Sequence, residues 1–379
     1  MATDRKIKIC HLSSVHQATD TRIFYKECRS LAKVYKVTLI ALAEKSQEVD
    51  GIKIIALKKY HSRFLRFLIT DFVLLIKAIG EGADVYHFHD PELIVAGIVL
   101  KLAGKKVIYD VHENVMADLN EKKWLPFKSL AKSGYGFFET LALRYFYLIL
   151  ADKSYSDHYN QRLSASKYVV IQNLVPLDDL KTDPPFYNSE SNVLAFVGAL
   201  DARRGLPFIL DAIAILKRKG VQISLRCIGQ MNEGVENILK NSLAWPEIKD
   251  QVEFKGFIPF PDSIQGIQDC MAGLALLENI PNNQISFSTK MFEYMAIGLP
   301  VICSDFQVFK DIIIKYDCGI AVNPEDSNAI ADAILFLITH RQEAKRLSDN
   351  AKKGAKYFDW KTEEEKLLDF YEKIINNKI

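Results

Sequence analysis

The sequence lacks the features that would commit it to a membrane span, to nucleic acid or to an oxidising compartment. No uninterrupted apolar run among its 379 residues reaches the roughly 20 that a membrane-spanning helix needs. Lys and Arg number 49 against 47 Asp and Glu, so there is no basic excess to argue for nucleic acid. The six cysteines (Cys10, Cys28, Cys227, Cys270, Cys303 and Cys318) are scattered and form no Cys-x-x-Cys pair. They read as reduced, mostly buried thiols of a cytoplasmic protein. Arg5 and Lys6 lead straight into a short apolar stretch, too short for a signal peptide. There is no low-complexity segment, no sequence repeat and no Asp-x-Asp. What remains is a soluble globular chain, long enough for two domains that each bury a core.

Apolar runs alternate with helical patterns along both halves. In the first half, strands are expected at Ile7–Leu12, Lys36–Leu42, Ile52–Leu57, Asp84–His89, Lys106–Asp110, near Lys153–Tyr155 and at Tyr168–Ile171. A polar loop over Ser13–Thr21 precedes a helix from Arg22 to Lys33, and a long helical segment is expected over Phe127–Leu150. In the second half, strands are expected at Val193–Val197, Ile223–Ile228, Val252–Lys255, Gly273–Leu277, Pro300–Ser304 and Ile320–Val322. Three helices end the chain, over Ser327–His340, Gln342–Tyr357 and Thr362–Asn376. The expected class is therefore α/β, two Rossmann-like domains with parallel sheets. Residues 1–176 form the first and 192–360 the second. A linker carrying Pro184-Pro185 occupies 177–191, and 361–379 is a final helix with no strand after it.

Ligands of open α/β sheets bind beyond the carboxyl ends of the strands. That rule selects the Ser13–Arg22 loop, His89 with Asp90, and His112 with Glu113 in the first half. In the second it selects the Gly198–Gly205 loop, the loop after Ile228 and the Ser286–Lys290 loop. The stretch Ile285–Asp305 is the most informative. Ser286, Ser288 and Thr289 offer N-cap residues for a short helix ending at Gly298, and Pro300 starts a strand. Such a helix tip favours an anion, and Glu293, one turn in, is placed to accept hydrogen bonds from a ribose. An ordinary crossover with a surface glutamate has the same spacing. Arg203 and Arg204, before Gly205, either neutralise a diphosphate or form a solvated pair, and Lys290 could assist them from the facing loop. His16, Asp20 and Arg22 either contact acceptor or phosphate or form a salt-bridged loop. His87 and His89 share one side of a strand, but no third ligand stands at zinc-like spacing, so metal is not expected. Two basic, aromatic segments, Lys58–Phe67 and Lys122–Lys132, suit either an anionic membrane surface or core helices with solvated lysines.

The Ile285–Asp305 stretch resembles the nucleotide-sugar signature of family 4 retaining glycosyltransferases, which have the GT-B fold. In that signature two glutamates stand eight positions apart, ahead of Ala-Met-Ala, a glycine and Pro-Val. Glu293 matches the second, while Ile285 replaces the first; Glu278 or Asn283 could substitute. The His16…Asp20-Thr21-Arg22 loop resembles that of a bacterial subgroup, with Ser13 and Ser14 in place of glycines. The resemblance implies several roles: His89 beside the donor sugar and β-phosphate, His87 structural, Asp110-Val-His112-Glu113 lining the acceptor side, and Arg204 on the diphosphate. Ala199 stands where the family has a second basic residue. It further implies that the last helix packs back on the first domain, across the cleft between the sheets. The substrates it implies are a nucleotide diphosphate sugar, with Ser288, Thr289, Lys290, Gly198 and Arg203 among the donor contacts, and a glycan or lipid-linked acceptor. No cofactor is expected, and no partner nucleic acid. A nucleotide-sugar 2-epimerase on the same fold and a non-catalytic sugar-nucleotide-binding subunit are the rival readings.

Overall fold

A computed structural model of the protein describes residues 6–58, 69–112, 128–159, 163–180, 187–188, 190–232, 234–285 and 287–379. The chain divides into two compact units, Met1–Asn173 with Lys361–Ile379, and Leu174–Trp360. Each is built on its own sheet.

Among the described residues the first unit has eight strands: β1 (Lys8–Gln17), β2 (Lys36–Leu42), β3 (Gln47–Val49), β4 (Ile52–Leu57), β5 (Val85–Phe88), β6 (Lys106–Val111), β7 (Tyr147–Leu150) and β8 (Tyr168–Val170). Their order is β3-β4-β2-β1-β5-β6-β7-β8, and all pair in parallel except β3 with β4. All four residues of β5 are buried. Because successive side chains point to opposite faces, both faces of the sheet are covered. The order reverses at β1, which lies between β2 and β5, and the space beyond such a switch point is where open sheets bind ligands.

Two expectations fail in this unit, for physical reasons. The first strand does not stop at Leu12 but runs on to Gln17. Ser13 and Ser14 are polar yet fully buried, because Asp90 accepts from the Ser13 hydroxyl at 2.9 Å and from the Ser14 amide at 2.6 Å. The long helix ends at Tyr145, and Tyr147–Leu150 is β7, while the strand expected near Lys153–Tyr155 is a helix, Lys153–Tyr159. Tyr-Leu-Ile-Leu carries no period of its own to separate strand from helix. Asp152 decides the next element by accepting from the Ser154 amide at 2.8 Å at its start. The basic, aromatic residues 59–68 and 122–127 lie outside the described residues, as do Glu113, Ser286 and 181–186 of the linker.

Among the described residues the second unit holds six parallel strands, β9 (Val193–Val197), β10 (Ser224–Ile228), β11 (Val252–Phe254), β12 (Ala272–Ala275), β13 (Val301–Ser304) and β14 (Gly319–Val322), in the order β11-β10-β9-β12-β13-β14. The order reverses at β9, between β10 and β12. Leu194, Phe196, Leu225, Leu274 and Ile302 meet Leu210, Ile213 and Ile334 in its core. The helix Thr289–Ala296 is fixed to the sheet by Tyr294. Its buried hydroxyl accepts from the Val197 amide at 3.0 Å and donates to the Leu274 carbonyl at 3.3 Å. The ring lies flat over Gly273, where any Cβ would overlap it. That one contact sets the depth at which the helix tip meets the end of β9. The last helix, Trp360–Ile375, is bonded to the first unit: Lys106 donates to the carbonyls of Ile374 and Ile375, at 2.7 Å each.

Candidate active site

Beyond the carboxyl end of β9, three residues converge from two segments. Gly198 follows the strand with φ of 118°, a conformation that favours glycine. A Cβ there would overlap Lys290 Cε and Nζ and come within 3.0 Å of Arg204 Nη1. Lys290 enters from the first turn of the Thr289–Ala296 helix and lies over the Phe196 ring, 5.4 Å from its centroid. Arg204 ends a single 3₁₀ turn, Ala202–Arg204. Its nearest carboxylate in an ion pair is Asp201 at 3.9 Å, and 35% of its side chain is exposed.

Two cations thus face one glycine. Burial pushes the Lys290 ammonium down to about 7, the Arg204 charge pushes the same way, and the Glu293 carboxylate resists. Like charges held together in a half-buried place raise the energy of the empty site, and an anion between them would relieve it. The helix tip adds to this: Ser288 precedes it with no side-chain cap, so its first amides keep their partial positive charge toward the same space. Glu293 sits half-buried one turn further in.

The neighbouring loops brace this arrangement. The Arg203 carbonyl accepts from the Glu278 amide at 2.7 Å, and Asn283 donates to the Glu278 carbonyl at 2.9 Å. Ile285 closes a short helix, Pro281–Ile285, with 51% of its surface exposed. Gly229, after β10, comes so close to the Gly198 carbonyl that a Cβ would overlap it. Sequence reasoning missed Gly229 and Gly273, although a glycine at or just after a parallel strand is itself a signal of close backbone approach.

In the first unit, the strand ends carry a different kind of assembly. Asp110 is fully buried and takes both arms of Arg22, at 2.8 Å each. It also lies 3.1 Å from His89 Nδ1 and 3.3 Å from His112 Nδ1. Burial pushes its carboxyl up, but the Arg22 charge and hydrogen bonds overcome that and hold it well below the carboxylate range. Several sequence-based roles change here. His89 has no exposed surface on its side chain, one ring nitrogen lies against Asp110 and the other against His11 Nδ1 at 3.0 Å. The side chain is buried, and both ring nitrogens face partners within the first unit. Arg22, tied to Asp110 and to the Ile171 carbonyl at 3.1 Å, is a core cation and not a phosphate ligand. Asp90 anchors the Ser13–Ser14 segment. Asp20 caps the helix that begins at Thr21, accepting from the Arg22 and Ile23 amides at 2.9 Å each. The salt-bridged reading of that loop is therefore the observed one.

His112 and His16 remain nearer the surface, with 15% and 25% of their side chains exposed and Nε2 atoms 3.4 Å apart. Burial lowers the affinity of His112 for a proton, but Asp110 more than offsets this and raises its pKa above the usual imidazole value.

Residues 181–354 match the model of a family described as glycosyl transferases group 1. Among curated proteins, the chain is similar to the phosphatidyl-myo-inositol mannosyltransferase of Mycobacterium leprae, 23% identical over 83% of this chain and 77% of that one. It is also similar to an α-1,4-N-acetyl-D-galactosaminyltransferase of Campylobacter jejuni that acts on a diNAcBac-PP-undecaprenol glycan, 24% identical over 79% of this chain and 77% of that one. Among solved structures, sucrose-phosphate synthase from Thermosynechococcus elongatus superposes with a TM-score of 0.76 at 16% identity, covering 98% of this chain and all of that one. The matched segment takes in the whole Gly198–Arg204–Lys290 cluster, and the solved relative shares the architecture of both units. These similarities support a family 4-like glycosyltransferase of group 1 on the GT-B fold.

Proposed function

We propose that this enzyme transfers a sugar, with retention, from a nucleoside diphosphate sugar to a saccharide or lipid-linked acceptor in bacterial surface polysaccharide synthesis. The observation that carries this reading is the pair Lys290 and Arg204 converging at Gly198, two cations beside a helix tip. When the bond between sugar and phosphate breaks, charge develops on the leaving diphosphate. Preorganised cations and amides there are stronger in the transition state than in the ground state. The same pair does the neutralising that a divalent ion does in many phosphate sites, so the transfer requires no cofactor. Retention needs no nucleophile from the chain: the leaving phosphate oxygen can take the acceptor's proton as the hydroxyl attacks the same face.

Glu293 accepts hydrogen bonds from the ribose in this reading. Glu293→Gln should keep the fold and weaken binding of a nucleoside diphosphate by about 1–3 kcal/mol, the range for a hydrogen bond to a charged group. Titration calorimetry with UDP and GDP measures it, and unchanged affinity for both would remove the assignment.

The lipid-linked class of acceptor draws on the names of the two curated relatives and on the surface of the first unit. No described helix is long and apolar enough to cross a membrane. The helix Asp71–Glu81 nonetheless exposes Phe72, Val73, Ile76 and Ile79, and the neighbouring Ile94–Leu102 helix exposes Val99 and Leu102, the last at 83%. Apolar faces of this extent mark interaction sites. The sequence just before the first of these helices is rich in Lys, Arg and Phe, which suits an anionic lipid surface. The protein should cosediment with vesicles containing anionic lipid, and Phe72→Glu with Ile76→Glu should release it. Equal recovery of wild type and variant with neutral and anionic vesicles would discard the membrane reading.

A further inference from the structure

The first unit holds a second cluster of polar side chains that sugar transfer does not use. His11 of β1 and His87 of β5 are register partners across the sheet, and His89 follows two residues later on the same side. The ring centroids lie 4.6 Å apart for His11 and His87, 4.5 Å for His87 and His89, and 5.3 Å for His11 and His89. Glu27, from the helical segment after β1, brings Oε2 to 3.7 Å from His87 Nδ1 and 3.9 Å from His89 Nε2. All four side chains are buried. One donor atom from each lies within 4.8 Å of the other three. Residue order brings only His87 and His89 together, while His11 and Glu27 stand some 60 to 80 positions before them.

Unsatisfied hydrogen-bonding capacity distinguishes this cluster from an ordinary buried network. Both Glu27 carboxylate oxygens have no hydrogen-bond partner among the described residues, and native interiors leave few such atoms. Arg22 passes 3.2 Å from Glu27 Oε1, but its hydrogen bonds go to Asp110 and Ile171. We propose that His11, Glu27, His87 and His89 form a structural site for one divalent transition metal, zinc by its donor set. Three imidazoles and one carboxylate make a closed tetrahedral set for that ion. With metal–nitrogen bonds of about 2.0–2.1 Å, ligand atoms in such a set stand about 3.3 Å apart. The separations here of 3.0, 3.7 and 3.9 Å bracket that value. His89 holds Asp110 with its other nitrogen at 3.1 Å, the outer carboxylate that usually orients a metal-bound histidine. An ion held by His87 Nδ1 would take the place of that atom's hydrogen bond to Tyr371 Oη, 2.8 Å away on the last helix. With four protein donors and no open position, the ion would join β1, β5 and the segment after β1 and take no part in transfer.

The test is metal analysis of tag-free protein, grown with added zinc and desalted through chelator. About one zinc per folded chain is expected. His11→Ala and Glu27→Gln should each lower that content at least tenfold, while His340→Ala, at an exposed histidine outside the site, should leave it unchanged. Protein refolded in cobalt should show the intense visible absorption of a tetrahedral ion. Folded wild type carrying no stoichiometric transition metal would overturn the site and leave a neutral imidazole cluster with a protonated Glu27. Full zinc in both ligand variants would overturn it equally. Should either variant fail to fold, the wild-type content decides alone. Neither outcome touches the donor site, since Lys290 and Arg204 lie in the other unit.

Discussion

Lys290→Met is expected to weaken nucleoside diphosphate binding by roughly 30- to 150-fold while raising the melting temperature of the protein. The loss follows from removing one charge-assisted hydrogen bond to phosphate, about 2–3 kcal/mol. The gain follows from the state of the empty site. Lys290 has its pKa pushed down to about 7, by burial first and by Arg204 second, whereas in the unfolded chain it returns to about 10.4. Between those two values the unfolded chain binds the proton and the folded one resists it, so wild-type stability rises with pH across that window. Below about pH 7 both forms are protonated and the full penalty remains. Met keeps the contact with Phe196 and carries no charge, so at pH 7 it should stabilise the protein by about 1 kcal/mol or more, roughly 2–4 °C for a unit of this size. At pH 10 and above the difference should shrink. Diphosphate affinity of the wild type should also fall as pH rises above 7, because the bound anion needs the lysine charged. Calorimetric titration and thermal melts at pH 7 and 9 measure both arms. A variant that binds UDP and GDP as wild type does, or melts lower at pH 7, would refute the strained-cation account of the site.

Much of this site was legible from residue order, and the limits of that legibility are specific. Lys36–Leu42, Ile52–Leu57 and Val193–Val197 were readable to the residue, because each is a short, mostly apolar run rich in strand-favouring residues. Arg204 and Lys290 could be paired from sequence because both stand where a strand or loop hands over to a helix, and the switch-point rule brings such places together. Ser13 to Gln17 could not be read as strand, since its polar residues are satisfied by Asp90, more than 70 positions away. His89 shows a related limit. Its position at a strand end was right, but whether a strand-end side chain faces substrate or core depends on what covers it. The cover comes from Arg22, Asp110 and His11, which no local pattern connects.

Asp110→Ala should cost about 3–5 kcal/mol of stability, the range for breaking a buried ion pair at one partner. Asp110 is the only carboxylate that receives both Nε and Nη2 of Arg22 among the described residues. Without it the guanidinium stays buried with the Ile171 carbonyl and a poorly aligned Glu27. Arg22→Met leaves the opposite charge stranded and should cost a similar amount. The double variant Arg22→Met, Asp110→Ala removes both charges, so its cost should fall well short of the sum of the singles. The pair also sets an acid limit. Because the folded pKa of Asp110 lies below its unfolded value of about 3.9, its contribution is full above that pH and fades as pH falls through the folded value. Asp110→Ala should therefore lose least, relative to wild type, in the most acidic buffers. Urea denaturation of the four proteins at pH 7 and at pH 3 measures the cycle. Additive single costs at pH 7, or a wild-type advantage that does not shrink at pH 3, would show that Asp110 supports the fold by packing and not by its charge on Arg22.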